Sequence, residues 1–177
     1  MAPSANGPLL AGAPARLQPQ GGAVIAADGT GELVWGSARV VADNAIGGVL
    51  RFSSPALGMA GVGASEPVEG FIAPMSRDAG QSTSTSVAIA SIGNPVALSL
   101  TLRDENGKPV AGGEALLELR ANGHVSRLLE QLFPEADTHN FKGTLTVKAA
   151  GGKVVGTVLE IGSRPGQFTA LPVAGLR

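Results

Sequence analysis

Two histidines and two carboxylates near the middle of the chain are the residues best suited to metal chemistry. They are His124, Glu130, Asp137 and His139, and both imidazole and carboxylate groups are common zinc ligands. The histidines are 15 positions apart, however, and the sequence has no close pair of the H-x-x-x-H type. We therefore predict no metal site and no cofactor, and we interpret these residues as cap and loop residues.

His124 is also the first candidate for acid–base chemistry. A catalytic imidazole needs a carboxylate or a carbonyl on its second nitrogen. If His124 begins a helix, Glu130 lies nearly on the opposite side of that helix, and Asp137 and His139 follow Pro134, which ends it. We therefore predict that His124 does no chemistry.

Ser65 lies in GVGASEP, which resembles a nucleophile elbow only in part. The elbow needs a glycine two residues after the serine, and Pro67 occupies that position. The stretch also lacks the third glycine of a dinucleotide-binding fingerprint. Trp35 is the only tryptophan, and its alternation with Leu33 favours a core anchor over a sugar platform. We predict no catalytic residues, and hence a protein that is not an enzyme.

Two acidic stretches offer oxygen ligands for calcium. They contain Asp28 and Glu32 in ADGTGE, and Asp104 and Asn106 in DENG. Neither matches the D-x-[DN]-x-[DN]-G loop, and Asp and Asn before glycine are common turn residues. We interpret both stretches as turns.

Composition excludes several classes of partner. Thirteen basic and 14 acidic residues give a formal net charge of −1, so no basic stripe is available for phosphates and a nucleic-acid partner is not expected. The absence of cysteine excludes disulfides and thiolate ligands. No run of about 18 apolar residues occurs, so no membrane span is expected.

The chain is expected to contain one domain and one tail. Residues 1–22 are rich in Ala, Pro and Gly without periodicity, which predicts a flexible tail or linker. Residues 23–177 are expected to form a single domain, because 44% hydrophobic residues suffice for a core. The first residues lack the regions of a signal peptide, so an exported form would be a mature or excised chain.

The dominant pattern from residue 23 onward has a period of two, which indicates β-strands. In ALSLTLR, Leu98, Leu100 and Leu102 alternate with polar or small residues, and FKGTLTVK repeats the pattern. Turn residues such as Asn106-Gly107 separate about eight or nine such segments. The sequence predicts an all-β antiparallel β-sandwich, immunoglobulin-like or a Greek-key variant.

One segment, residues 124–133, has the period of a helix. Val125, Leu128, Leu129 and Leu132 form a single apolar stripe, and Pro134 ends it. A helix of about ten residues is unstable alone in water. We therefore expect it to pack over one open end of the sandwich.

Four short motifs occur in a recognisable order. They are Asn94-Pro95, Leu132-Phe133-Pro134, Phe141-x-Gly143-x-Leu145 and Leu171-Pro172-Val173. Together they make residues 30–174 resemble an uncharacterised β-sandwich module that recurs in large exported bacterial proteins. The resemblance implies an extracellular or cell-envelope location and brings no catalytic residues with it.

The expected function is that of a non-enzymatic structural or adhesive module. Its partners would be neighbouring domains or cell-surface components. One alternative is a carbohydrate-binding or accessory domain of an exported enzyme. A second is a subunit that self-assembles by strand addition, with the apolar stretch PLLAGAPARL at 8–17 as the donor. The sequence does not identify ligand-binding residues.

Overall fold

The computed structural model describes residues 17–26, 36–54, 58–164 and 167–176. The chain divides into two compact units, Met1–Arg39 and Val40–Arg177. In the first unit the described residues include a turn, in which the amide of Gly21 donates to the carbonyl of Gln18 at 2.8 Å. The predicted boundary after residue 22 falls inside this first unit.

The regular secondary structure in the described part of the second unit consists of strands and one helical turn. In chain order these are β1 (Val49–Ser54), β2 (Gly58–Gly63), β3 (Gly70–Asp78), β4 (Thr83–Ile92), β5 (Val96–Asp104), β6 (Pro109–Leu119), β7 (His124–Leu128), α1 (Leu129–Leu132), β8 (Asn140–Ala150), β9 (Lys153–Ile161), β10 (Phe168–Leu171) and β11 (Ala174–Gly175). The predicted all-β class is confirmed. Residues 36–42, predicted as part of an early strand, form none.

Nine of these strands form one antiparallel sheet that folds into two layers at the β3–β4 hairpin. β3 and β4 pair only at Arg77–Ser84 and Asp78–Thr83. Beyond that corner β4 pairs with β9 and β7, whereas β3 pairs with β8 and β11. One layer is therefore β7-β4-β9-β10 and the other is β11-β3-β8-β5-β6, which confirms the predicted antiparallel β-sandwich.

The hydroxyl of Thr85 completes the corner between β3 and β4. Thr85 Oγ1 accepts a hydrogen bond from the amide of Ser76 and donates one to the carbonyl of Ser76, both at 2.8 Å. Thr85 is fully buried, so these bonds replace the ladder bonds that a flat hairpin would supply at Ser76. The two strands can therefore separate into different layers without leaving the amide and carbonyl of Ser76 unpaired.

The core lies between the two layers and follows the predicted alternation. Leu98, Leu100 and Leu102 of β5 are at most 1% exposed, whereas Ala97 and Ser99, which alternate with them, are exposed. The same cluster contains buried residues from β8, β4 and β9: Phe141, Leu145, Val147, Val87, Ile89, Val154 and Val158. The period-two prediction for β5 and β8 is confirmed.

The predicted helix at 124–133 is wrong over its first half. Residues His124–Leu128 form β7, which pairs with β4 and places Val125 opposite Ile89. A ten-residue helix gains little in water by itself, whereas the second edge of β4 offers ladder hydrogen bonds to the backbone of this segment. Strand pairing therefore overrides the helical pattern.

The second half of the segment is a single helical turn, α1, and it closes one end of the sandwich as expected. Leu129, Leu132 and Phe133 are at most 7% exposed and belong to the core cluster. The amide of Phe133 donates to the carbonyl of Leu129 at 3.1 Å. The expected apolar cover is therefore confirmed, but it is shorter than the sequence pattern indicates.

We expect Leu129→Ala to lower the free energy of unfolding by about 2–5 kcal/mol, because the lost side chain is fully buried and leaves a cavity. Leu116→Ala is the matched control, since Leu116 is 84% exposed, and it should change that free energy by less than about 0.5 kcal/mol. Urea unfolding followed by circular dichroism measures both. Equal losses would show that α1 does not cover the core.

A second prediction concerns the corner. Thr85→Val keeps the volume of the side chain but leaves the Ser76 amide and carbonyl without their partner, so it should destabilise the protein by about 1–3 kcal/mol. Thr157→Val on the half-exposed outer face of β9 is the control and should cost less than about 0.5 kcal/mol. Unchanged stability of Thr85→Val would contradict the role of this hydroxyl.

Candidate functional site

The four candidate metal ligands do not converge. His124 begins β7 and pairs with Ala90, whereas Glu130 lies in α1, beyond the other end of that strand. A strand rises about 3.3 Å per residue, so most of the length of β7 separates the two side chains. Among the described residues no group of three His, Cys, Asp or Glu side chains could hold a metal ion. That His124 does no chemistry stays a prediction, now based on a strand rather than on a helix.

Asp137 and His139 belong to the loop between α1 and β8. Asp137 Oδ1 accepts a hydrogen bond from the amide of His139 at 3.2 Å. The carbonyl of His139 accepts one from the amide of Ala79 at 2.9 Å. Both side chains are exposed. These backbone contacts shape the loop and tie it to the β3–β4 turn.

Glu130 takes part in a polar network that the sequence did not indicate. Its Oε2 accepts a hydrogen bond from Ser84 Oγ at 2.8 Å and lies 3.4 Å from Arg77 Nε. Arg77 Nη1 in turn donates to Thr138 Oγ1 at 3.3 Å. Thr138 is 3% exposed and Ser84 is 9% exposed. The network joins the β3–β4 corner to α1 and to the loop after it, so Glu130 has a structural role.

Sequence reasoning missed this network because its members are far apart in the chain. Ser84 and Glu130 are separated by 46 positions, and Arg77 and Thr138 by 61. Each residue type is ordinary on a strand or loop, so no local motif marks them. Only the pairing of β3 with β4 and the position of α1 bring them together.

The structure gives Ser65 and Asp104 backbone partners. Ser65 Oγ donates to the carbonyl of Gly156 at 3.5 Å. Asp104 Oδ1 accepts from the amides of Asn106 and Lys108, both at 2.9 Å. Gly107 completes that turn with a φ of 75°, a value that glycine adopts easily. Asp104 and Asn106 therefore form the predicted turn.

Several sequence predictions lie outside the described residues. They concern Trp35, the calcium candidates Asp28 and Glu32, and most of the apolar stretch at 8–17. These predictions stay as they were made.

Three connections meet at one end of the sandwich, which we call the distal pole. They are the β3–β4 turn (79–82), the β5–β6 turn (105–108) and the loop from α1 to β8 (133–139). The backbone of Glu135 lies against Gly112 near the start of β6, where a Cβ would come within 2.6 Å of it. The distal pole therefore presents loops held on a rigid sheet, with exposed polar side chains at Gln81, Glu105, Lys108, Glu135, Asp137 and His139.

The opposite end, the proximal pole, is where the chain enters and leaves the sandwich. The amide of Leu176 donates to the carbonyl of Gly70 at 2.8 Å, and β11 pairs with the first residues of β3. The points at which the chain enters and leaves the sandwich therefore lie side by side. The distal pole is the part of the sandwich farthest from both points.

Comparisons with protein families, with curated proteins and with solved structures find no match to this chain. In the described part of the chain, no helix has the length and hydropathy needed to cross a membrane.

A double-mutant cycle on the polar network should give a measurable coupling. Arg77→Ala and Glu130→Ala should interact by about 0.5–1 kcal/mol, because the two side chains are only 22% and 30% exposed and share an ion pair. Glu130→Gln is the matched variant, since it removes the charge while keeping an acceptor for Ser84. Urea unfolding at low and high salt measures each corner of the cycle. A coupling of zero at low salt would contradict the ion pair.

Proposed function

We propose that the protein is a non-enzymatic adhesive module of an exported bacterial protein, and that its distal pole contacts the partner. The exported location, extracellular or in the cell envelope, is part of the proposal. It rests on the four-motif resemblance described above, whose motifs lie in β4–β5, α1, β8 and β10–β11 of the sandwich.

The observation that carries the proposal is that the chain enters and leaves the sandwich at neighbouring points of the proximal pole. A module that spaces its neighbours in line needs its chain to enter at one end and leave at the other. Here Gly70 and Leu176 are hydrogen-bonded to each other, so any neighbouring domains joined at these two points would start from the same pole. This arrangement favours presentation of a surface over in-line spacing.

The chemistry of the distal pole fits this role. Its exposed side chains are polar or charged apart from Pro134, and both signs are present in Glu105, Lys108, Glu135 and Asp137. Loops positioned by a rigid scaffold are the usual places for binding residues. The side chain of Asp104 stabilises its turn by accepting hydrogen bonds from backbone amides. The neighbouring side chains of Glu105 and Lys108 are exposed and can contact a partner.

A charge reversal at the distal pole tests the proposal. The labelled full chain is applied to a glycan array and to a panel of immobilised envelope and matrix proteins. We expect Glu105→Lys combined with Glu135→Lys to weaken binding to any recognised surface at least about tenfold, because complementary charge determines association at a polar interface.

The matched control is Glu66→Lys combined with Glu69→Lys. It changes the net charge equally at exposed positions just before the sandwich begins and should leave binding unchanged. Equal losses in both double variants would rule out the distal pole as the contact. Selective glycan binding that is lost on Trp35→Ala would instead identify a carbohydrate-binding domain.

A further inference from the structure

Six strands have an edge without a strand partner within the described part of the chain: β1, β2, β6, β7, β10 and β11. Of these, β1 and β6 combine an exposed large apolar residue with an exposed charged residue. An unpaired edge presents a row of amide and carbonyl groups to which another strand can add. Proteins protect such edges with proline, charged side chains, a bulge or a covering loop. Stretches of β1 and β6 that have neither proline nor a covering loop, and whose charges are of opposite sign, are therefore informative.

The exposed face of β1 carries Val49 and Arg51. Val49 is 74% exposed, and Arg51 is also exposed. Their cross-strand neighbours on β2 are Gly63 and Gly61, which have no side chains to cover them. The hairpin therefore leaves an apolar side chain and a cation uncovered beside a free edge.

The second half of β6 has a complementary face. Leu116 is 84% exposed and lies between Glu114 and Glu118 on the outer face. The first half of the strand begins with Pro109 and is covered near Gly112 by the backbone of Glu135. From Glu114 onward neither proline nor lysine blocks the edge.

We propose that β1 of one molecule adds in antiparallel orientation to the free edge of β6 in a second copy of this chain. In the register that places Arg51 opposite Glu114, Val49 lies opposite Leu116. An opposite-charge pair and an apolar pair then face each other on the same side of the joint sheet. On the other side, Leu50, which is 56% exposed, lies opposite the half-buried Ala115.

Charge favours this pairing over the symmetric alternative. Two β6 strands paired about Leu116 would place Glu114 opposite Glu118 of the second copy, twice, and like charges directly opposite are destabilising. The β1–β6 contact joins two different surfaces, so it is head-to-tail and can continue from molecule to molecule.

Disulfide cross-linking tests the proposed register of β1 against β6. The chain has no cysteine of its own, so any disulfide must form between the introduced residues. Chains carrying only Val49→Cys are mixed with chains carrying only Leu116→Cys and oxidised. Ser99→Cys is the matched control, because Ser99 is exposed directly opposite Leu116 on β5. In the proposed contact, Ser99 of one molecule would lie two strand spacings, about 10 Å, from Val49 of the other molecule. That distance is too long for a disulfide.

We expect the Val49→Cys and Leu116→Cys mixture to yield at least about tenfold more disulfide dimer on a non-reducing gel than the control mixture. Equal yields would overturn the proposal. Preferential dimers of Leu116→Cys with itself would overturn it as well, since they would indicate paired β6 strands.

Charge exchange tests the same contact in solution. Arg51→Glu alone, or Glu114→Arg alone, should weaken self-association in sedimentation equilibrium by about tenfold, because each places like charges opposite one another. A chain carrying both changes should recover the association of the unchanged protein. A double variant as weak as the single variants would overturn the register.

This inference does not depend on the adhesive function. Arg51, Glu114 and Val49 lie outside the distal-pole loops, so these variants should bind a surface partner normally. The Glu105→Lys and Glu135→Lys variant should in turn self-associate normally.

Discussion

The two-layered fold depends on the corner at which β3 and β4 separate. Two residue pairs hold the hairpin together, and the buried hydroxyl of Thr85 then takes over both backbone groups of Ser76. An unpaired backbone group in this dry corner would cost more than most single contacts contribute. With those groups satisfied, β4 can carry Val87 and Ile89 to one side of the core while β3 carries Phe71 and Ala73 to the other.

The same corner organises the polar residues around it. Arg77 and Ser84 are opposite each other at the last paired position of the hairpin, and both contact Glu130. The carboxylate therefore anchors α1 above the open end of the core. Glu130, one of the four candidate metal ligands, is thus engaged by Ser84 and Arg77.

Burial of apolar side chains is uneven along the chain. From residue 64 to residue 176, the large apolar residues are buried or half-buried, with Leu116 and Leu176 as the exposed exceptions. Before residue 64, exposed apolar residues are frequent, including Val24, Ile25, Val40, Val41 and Val49. Among them, Val49 lies on β1, at the edge to which we propose that a second copy of the chain adds.

Local sequence patterns were sufficient wherever the physical cause is itself local. Alternation in β5 requires only that successive side chains point to opposite faces, and Asn106-Gly107 requires only a turn that glycine can adopt. The apolar residues Leu129 and Leu132 were correctly expected over the end of the core. Because these side chains are apolar, they are buried in a single helical turn just as they would be in a longer helix.

The features that depend on residues far away in the chain were decided by the tertiary structure. Residues 124–128 have a helical pattern, but β4 lies beside them and its ladder bonds outweigh the weak preference of a short helix. Glu130 has no local sign of its role, since Ser84 reaches it across 46 positions and Arg77 reaches it from another strand. The sequence by itself therefore determined the period, the turns and the apolar content of this protein. The choice between strand and helix at β7, and the pairing of its charges, were decided only when the folded sheet supplied the partners.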